Sequence, residues 1–510
     1  MTQLRDDSQP FAGIVHRIAL PMLFAALLAG CGSGGEDRSN GSTLAAPITV
    51  NTAATMAQEQ GASAADYNNN DYGLITGATL KRWKDNWSKE RPGYITGKLV
   101  ILQVTAGETG FEYIKTNAIG AFSYLAASAE WVMTRSNGVI STPSLVLDGP
   151  SMDNQLRKYN IDPQNDMIVI LMGTASTGNV MSQGRAWMAF RYWGVDAKHL
   201  AVLSGGNKYQ SDSAAMVAAD FQSTAPALPT PNDAVTAAKV NSVKNLPVDN
   251  TVLIASVQDM LNIVGTSPSA SLKGTGNFLW DARTIFQYSA GQMKERNDAG
   301  CPATSSYCVP DATVDYMTSF QNSGSRQGHP WGAQQLQFTN LLDSTKGFSY
   351  KSKAQLTSYL NGEVDTAGMG MTDGTYAKAG AGNAYQNGDT VYVYCETTFR
   401  AMITGMASMM VLGKPTRFYD GAMIEWNSLS NLQDTTGKYI LPADSPWRTD
   451  IRSFSRPAAS PTLTTQRFIV NAYAINASDI IKEDKLYKTP SGSNTSRDGG
   501  GAPPANPCGG

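Results

Sequence analysis

Of the five cysteines in this 510-residue chain, Cys395 has the neighbours that could make a thiol react. It follows Val391-Tyr392-Val393-Tyr394, a β-branched and aromatic run that reads as a buried strand. It precedes Ala401–Leu412, where apolar residues recur at helical spacing. A cysteine in the turn between strand and helix lies where backbone N–H groups converge and the helix dipole favours an anion. A thiolate there is expected to be stabilised and nucleophilic. Arg400 adds a fixed positive charge to the same turn, while Glu396, directly after the cysteine, adds a negative one. The plain alternative for Cys395 is a buried structural cysteine at a strand end.

The elements that would position this turn form an alternating series. Leu99–Val104, Met167–Leu171 and Leu200–Leu203 read as buried strands. Helical patterns at Thr79–Trp87, Met152–Tyr159 and Gly184–Gly194 lie between and around them. Such alternation argues for α/β units on a mostly parallel sheet. Pro226, Pro229 and Pro231 interrupt it, and a second unit then repeats the order. Leu253–Val264 corresponds to the helix around Leu80, and Asn277–Trp280 to the strand beginning at Leu99. This second strand runs into Asp281-Ala282-Arg283.

Four stretches in order carry a resemblance to the rhodanese (sulfurtransferase) family. They are Asp281-Ala282-Arg283, then Gly328-His329-Pro330-Trp331-Gly332-Ala333, then Cys395 to Arg400, and finally Asp420-Gly421 with Trp426. The second departs from the family turn, with Trp331 standing where its proline is expected. The resemblance covers roughly residues 74–430 in the tandem form of the family. It implies two rhodanese-like domains, each a mostly parallel sheet flanked by helices, with a C-terminal extension. It also implies ping-pong transfer of sulfane sulfur through a Cys395 persulfide, with no cofactor. The persulfide would be cradled by the loop Glu396, Thr397, Thr398, Phe399 and Arg400, with Arg400 and Arg283 holding the donor and Asp281 and His329 in support. The first unit carries Gln103-Val104-Thr105 at the Asp-x-Arg position and no cysteine after Leu171, so it reads as catalytically silent. Ser176 there has no placed base. Phosphatases of this fold use Cys-x5-Arg; the Cys-x4-Arg spacing here suits a sulfur atom better than a tetrahedral phosphate. Glu396 is out of keeping with the basic loops that take thiosulfate, which leaves polysulfide or another reduced sulfur or selenium donor equally open.

Composition bounds the rest. An apolar fraction of 42% suits globular domains, and a formal charge of -2 gives no reason to expect nucleic-acid binding. Three histidines and no Cys-x2-Cys leave no zinc pattern and no expected metal. Ile18–Leu28 is apolar but too short for a mature span, and Leu28-Ala29-Gly30-Cys31 resembles a bacterial lipobox. Cys31 would then be lipidated, with Gly32 in the next position pointing to the outer membrane of a Gram-negative cell. Cys301 and Cys308 are expected to pair in an oxidising periplasm. Cys508 could resolve Cys395, bridge to a partner or do nothing.

The expected organisation is a signal peptide over 1–30, a spacer over 31–71 and a silent domain over 72–225. A linker over 226–248 leads to the Cys395 domain over 249–430, with an insertion at 284–327. A strap over 431–485 and a disordered tail over 486–510 complete it. Two functions stay open. One is a membrane-tethered sulfurtransferase acting on a small sulfur donor and a thiophilic acceptor. The other is a non-catalytic rhodanese-fold subunit of a periplasmic or outer-membrane redox or electron-transfer assembly.

Overall fold

A computed structural model describes residues 48–64, 67–115, 119–136, 141–265, 271–289, 328–430, 436, 438, 441–442, 444–445, 447–455 and 479–489. Cys31, Cys301, Cys308 and Cys508 lie outside them, as does most of the 284–327 insertion. The described residues form one compact unit. No helix among the described residues is long and apolar enough to cross a membrane.

Two five-stranded sheets organise that unit. The first holds β1 (Gly73–Ile75), β2 (Leu99–Gln103), β3 (Ala121–Leu125), β4 (Met167–Leu171) and β5 (Leu200–Leu203). Its spatial order is β1-β5-β4-β2-β3, with every pair parallel. The second holds β6 (Ile254–Ala255), β7 (Asn277–Asp281), β8 (Gln334–Gln335), β9 (Thr390–Tyr394) and β10 (Thr416–Tyr419). Its order is β6-β10-β9-β7-β8, again all parallel. The two orders are the same pattern, so the sequence repeat is a structural repeat. The α/β class and the doubled, helix-flanked sheets implied by the rhodanese resemblance are present. Strands β2 and β4 are buried along their whole length, which is why they read as continuous apolar runs rather than alternating ones.

The helices that matter most for the site are α1 (Gly77–Asp85), α2 (Thr177–Tyr192), α3 (Val257–Gly265), α4 (Phe399–Met406) and α5 (Ala422–Ser430). After α4 the chain continues through a π-helical turn, Ala407–Val411. Helix α4 is held between its own sheet and the first half. A Cβ at Gly405 would fall 2.1 Å from the Phe418 ring of β10. A Cβ at Gly184 of α2 would fall 2.3 Å from Met402 Cβ and 3.0 Å from Met406 Sδ. Both helices approach that closely only because glycine leaves the room. The main core cluster accordingly runs through both halves, from Leu102 and Trp187 to Val393, Cys395 and Met402.

Three expected boundaries shift. Within the spacer expected over 31–71, Thr49–Val50 pairs with Val248–Asp249, and the helix Ala53–Gln60 is capped by Thr52 and buries Met56 completely. Few apolar residues suffice, because the short helix packs only one side. The expected linker 226–248 contains the helix Ala234–Val240, with Asn241 Nδ2 donating to the Ile161 carbonyl at 2.7 Å. The expected tail begins within α6 (Asp479–Lys488), which continues past residue 486. Asp484 of α6 accepts two 2.8 Å bonds from Arg135 and one from the Tyr192 hydroxyl at 2.6 Å. Those charged contacts lie hundreds of residues away in sequence, where composition gives no sign of them. Earlier in the strap, Ser453–Ser455 pairs antiparallel with Gly328–Pro330.

The Gly184 contact yields a prediction. Gly184→Ala forces a methyl into the backbone-proximal part of Met402, and overpacking of this kind costs about 1–3 kcal/mol. Chemical denaturation of the variant checks it; an unchanged midpoint would contradict the packing described.

Candidate active site

The C-terminal ends of β7 and β9 lie side by side, with Asp281 opposite Tyr394 in the register. Parallel pairing therefore brings Asp281, Arg283, Tyr394, Cys395 and Glu396 together from two distant stretches. Cys395 is completely buried and is the one free cysteine among the described residues. Its carbonyl accepts from Met423 N at 3.1 Å, and the Glu396 carbonyl from Ile424 N at 3.3 Å. The loop is thus stitched to the first turn of α5.

Thr398 shapes the turn. Its φ is +66°, a left-handed conformation that is costly for a β-branched residue. The fully buried Thr398 hydroxyl shares its proton between the carbonyls of Tyr419 at 3.0 Å and Asp420 at 2.9 Å. Among the described residues, no acceptor takes the N–H groups of Thr397, Thr398, Phe399 or Arg400. The last two belong to the first turn of α4, where no intrahelical acceptor exists. The result is a cluster of unspent donors beside the cysteine.

Arg283 is fully buried and grips Asp281 through Nε at 2.9 and 3.1 Å and through Nη2 at 2.6 Å. Its Nη2 also donates to the Gly328 carbonyl of the glycine-histidine turn. Burial works against the charge, but the Asp281 carboxylate beside it more than offsets this, and the Arg283 pKa rises. Tyr394 donates to Asp281 Oδ2 at 2.8 Å; burial, with that charge added, keeps its proton on. The remaining Arg283 nitrogen, Nη1, has no hydrogen-bond acceptor among the described residues and lies 3.9 Å from Glu396 Oε2.

His329 is buried and stacks on Tyr288 with centroids 3.7 Å apart and planes 9° apart. Its Nδ1 donates to the Tyr288 carbonyl at 2.8 Å, which fixes the tautomer because a carbonyl can only accept. Burial pulls its pKa down to about 4, so it is neutral at physiological pH. Tyr288 sits on the short helix Ile285–Ser289, whose Gln287 Oε1 accepts from Arg400 Nη1 at 2.6 Å. His329 therefore supports the helix that holds Arg400. Thr397, Phe399 and Arg400 are half-buried and form the accessible rim of the loop.

One residue the sequence reading passed over is Arg185 of α2, in the first half. It is fully buried, with Nη1 2.6 Å from Asp420 Oδ1 and Nη2 donating to the Ser144 carbonyl. Its guanidinium also lies 5.5 Å from the centre of the Phe399 ring. Asp420 Oδ2 accepts from Val146 N at 2.8 Å. The signal available in sequence was an arginine leading the apolar stretch Ala186–Phe190 of a helix that has no solvent face. At the corresponding place in the first half, Ser176 caps α2 by accepting from Asn179 N at 3.2 Å. A Cβ at Gly173 would fall 2.2 Å from the Thr105 carbonyl, so that turn is packed shut. No group of three or more metal-ligating side chains occurs among the described residues.

No family model and no curated protein matches the chain. Similar solved structures include Tum1 from Saccharomyces cerevisiae, 15% identical with a TM-score of 0.42, covering 70% of this chain and 95% of that one. SseA from Escherichia coli, described as a 3-mercaptopyruvate sulfotransferase with the "rhodanese" fold, is 14% identical with a TM-score of 0.41, covering 69% and 98%. An anaerobic ergothioneine biosynthesis enzyme from Chlorobium limicola is 13% identical with a TM-score of 0.39, covering 72% and 71%.

The buried pair sets a prediction. Removing one partner of such a pair strands a charge and costs about 3–5 kcal/mol. Asp281→Ala is expected to destabilise the protein by that amount in chemical denaturation, and Asp281→Leu combined with Arg283→Met to recover most of it. A single variant as stable as the parent would contradict the pairing.

Proposed function

We propose that this chain is a sulfurtransferase in which Cys395 carries sulfane sulfur as a persulfide. The observation that carries the reading is the loop itself. A cysteine at the end of β9 is followed by four N–H groups with no acceptor among the described residues, and Arg283 and Arg400 flank them. Donors fixed before the reaction stabilise an anion without reorganisation. In the first half-reaction Cys395 thiolate attacks the outer sulfur of a donor. The Sγ–S bond forms as the donor's own bond to that sulfur breaks, and the electron pair leaves with the donor remnant. In the second, a thiophilic acceptor attacks the outer sulfur, and Cys395 thiolate is the leaving group. No net oxidation and no cofactor are required.

The persulfide anion is the state the loop is built to hold, because its terminal sulfur would extend from Sγ toward the free amides. Asp281 and His329 act through Arg283 and Arg400 rather than on the sulfur. The first half contributes Arg185 and no nucleophile. We further propose that the protein is held at the outer membrane by lipid on Cys31, with Cys301 paired to Cys308. The apolar stretch before Cys31 and the glycine-rich residues after it support that placement.

The complete burial of Cys395 favours a second reading, a rhodanese-fold subunit that serves an assembly by protein contacts. Intact mass separates the two. Purified protein incubated with thiosulfate or, separately, polysulfide is expected to gain one sulfur, to lose it to cyanide, and to gain none as Cys395→Ser. No adduct with either donor would favour the assembly reading.

A further inference from the structure

Among the described residues, most of the charge around Cys395 is already engaged, and this bears on what the donor can be. Arg283 has given Nε and Nη2 to Asp281, and the Gly328 carbonyl shares Nη2. Its last nitrogen, buried and without a hydrogen-bond acceptor among the described residues, faces the Glu396 carboxylate at 3.9 Å. That separation is too long for a hydrogen bond yet short for a charge pair out of water. Arg400 is held by the neutral amide of Gln287. Asp281 and Glu396 supply two formal negative charges, and Arg283 and Arg400 supply two positive ones. Among the described residues these four sum to zero before the Cys395 thiolate is counted. Arg185, the next buried cation, is cancelled by Asp420.

We propose that Glu396 is a specificity-determining residue that closes Arg283 to dianions and makes a low-molecular-weight hydropersulfide the donor, in preference to thiosulfate. This rests on the sulfur-transfer reading above and sharpens it. A dianion entering this loop meets a balanced set of four charges plus a thiolate, with one Arg283 nitrogen screened by a carboxylate. A hydropersulfide reacts as neutral R–S–SH and needs no second cation. Cys395 thiolate attacks its outer sulfur, and the Sγ–S bond forms while the S–S bond of R–S–SH breaks. The departing thiolate takes the electron pair and the sulfane proton and leaves as R–SH. Cys395–S–S⁻ remains, with the same total charge as before. The amides of Thr397 to Arg400, with the single Arg400 charge at the rim, then face a single negative charge, which such a cradle can stabilise without a second cation.

Neutralising Glu396 frees Arg283 Nη1 for an incoming anion. The test uses the full chain and its Glu396→Gln variant, each loaded with thiosulfate or with cysteine persulfide, and follows the rate of sulfur gain on Cys395 by intact mass. The parent is expected to load faster from cysteine persulfide. The variant is expected to gain roughly ten- to a hundredfold in loading by thiosulfate relative to loading by cysteine persulfide, the effect of lifting one nearby charge. Faster loading of the parent by thiosulfate would overturn the inference. So would a thiosulfate-to-persulfide ratio that Glu396→Gln leaves unchanged; either result, with loading observed, leaves sulfur transfer itself standing. No sulfur gain from either donor in either protein overturns the sulfur-transfer reading and the inference with it.

Discussion

A buried ion pair between the two halves, Arg185 with Asp420, is the contact on which the cysteine loop depends. Two charges taken out of water are tolerable only when their remaining donors and acceptors are met. Here Arg185 reaches Asp420 and the Ser144 carbonyl and Asp420 also takes the Val146 N–H, which leaves only the Arg185 Nε without an acceptor among the described residues. Asp420 is thereby fixed by the first half, and its own carbonyl, with that of Tyr419, holds the hydroxyl of Thr398. Thr398 sits in a conformation it would not adopt unaided, and in that turn four amides have no acceptor among the described residues. The half without a cysteine at this place thus shapes the turn that has one.

The second constraint is the parallel pairing of β7 with β9. It sets the Asp281–Arg283 pair beside the Cys395 loop and leaves Glu396 facing the single guanidinium nitrogen that Asp281 does not use. Glu396 reads in sequence as a carboxylate that repels an anionic donor. In the folded chain it lies 3.9 Å from the buried Arg283, and the proposed influence on the donor runs through that arginine. Arg400, held by Gln287, stays at the rim with its charge unpaired by any carboxylate among the described residues.

Much of this was legible in the chain and some was not, for identifiable reasons. The strands at Leu99, Met167 and Val391 declared themselves because parallel strands buried on both faces need uninterrupted apolar runs. The repeat was legible because both halves keep the same order of elements. The Cys395–Arg400 turn stood out by its position between strand and helix. The helix Ala53–Gln60 did not, since the one large apolar side chain it buries is Met56, beside Ala53, Ala57 and Gln60. Arg185 did not either, because its meaning lies in Asp420, far away in sequence. Gln287 carries no chemical signal of its own until the fold brings Arg400 to it.

The central claim is that the Cys395 loop is a preformed cradle for one terminal sulfur. A crystal structure of the protein loaded with a sulfur donor tests it most directly. The account predicts one extra sulfur bonded to Cys395 Sγ, within hydrogen-bonding reach of the amides of Thr397 to Arg400, with Thr398 still left-handed and Arg185 still on Asp420. An unmodified Cys395, or a persulfide directed away from those amides, would contradict it.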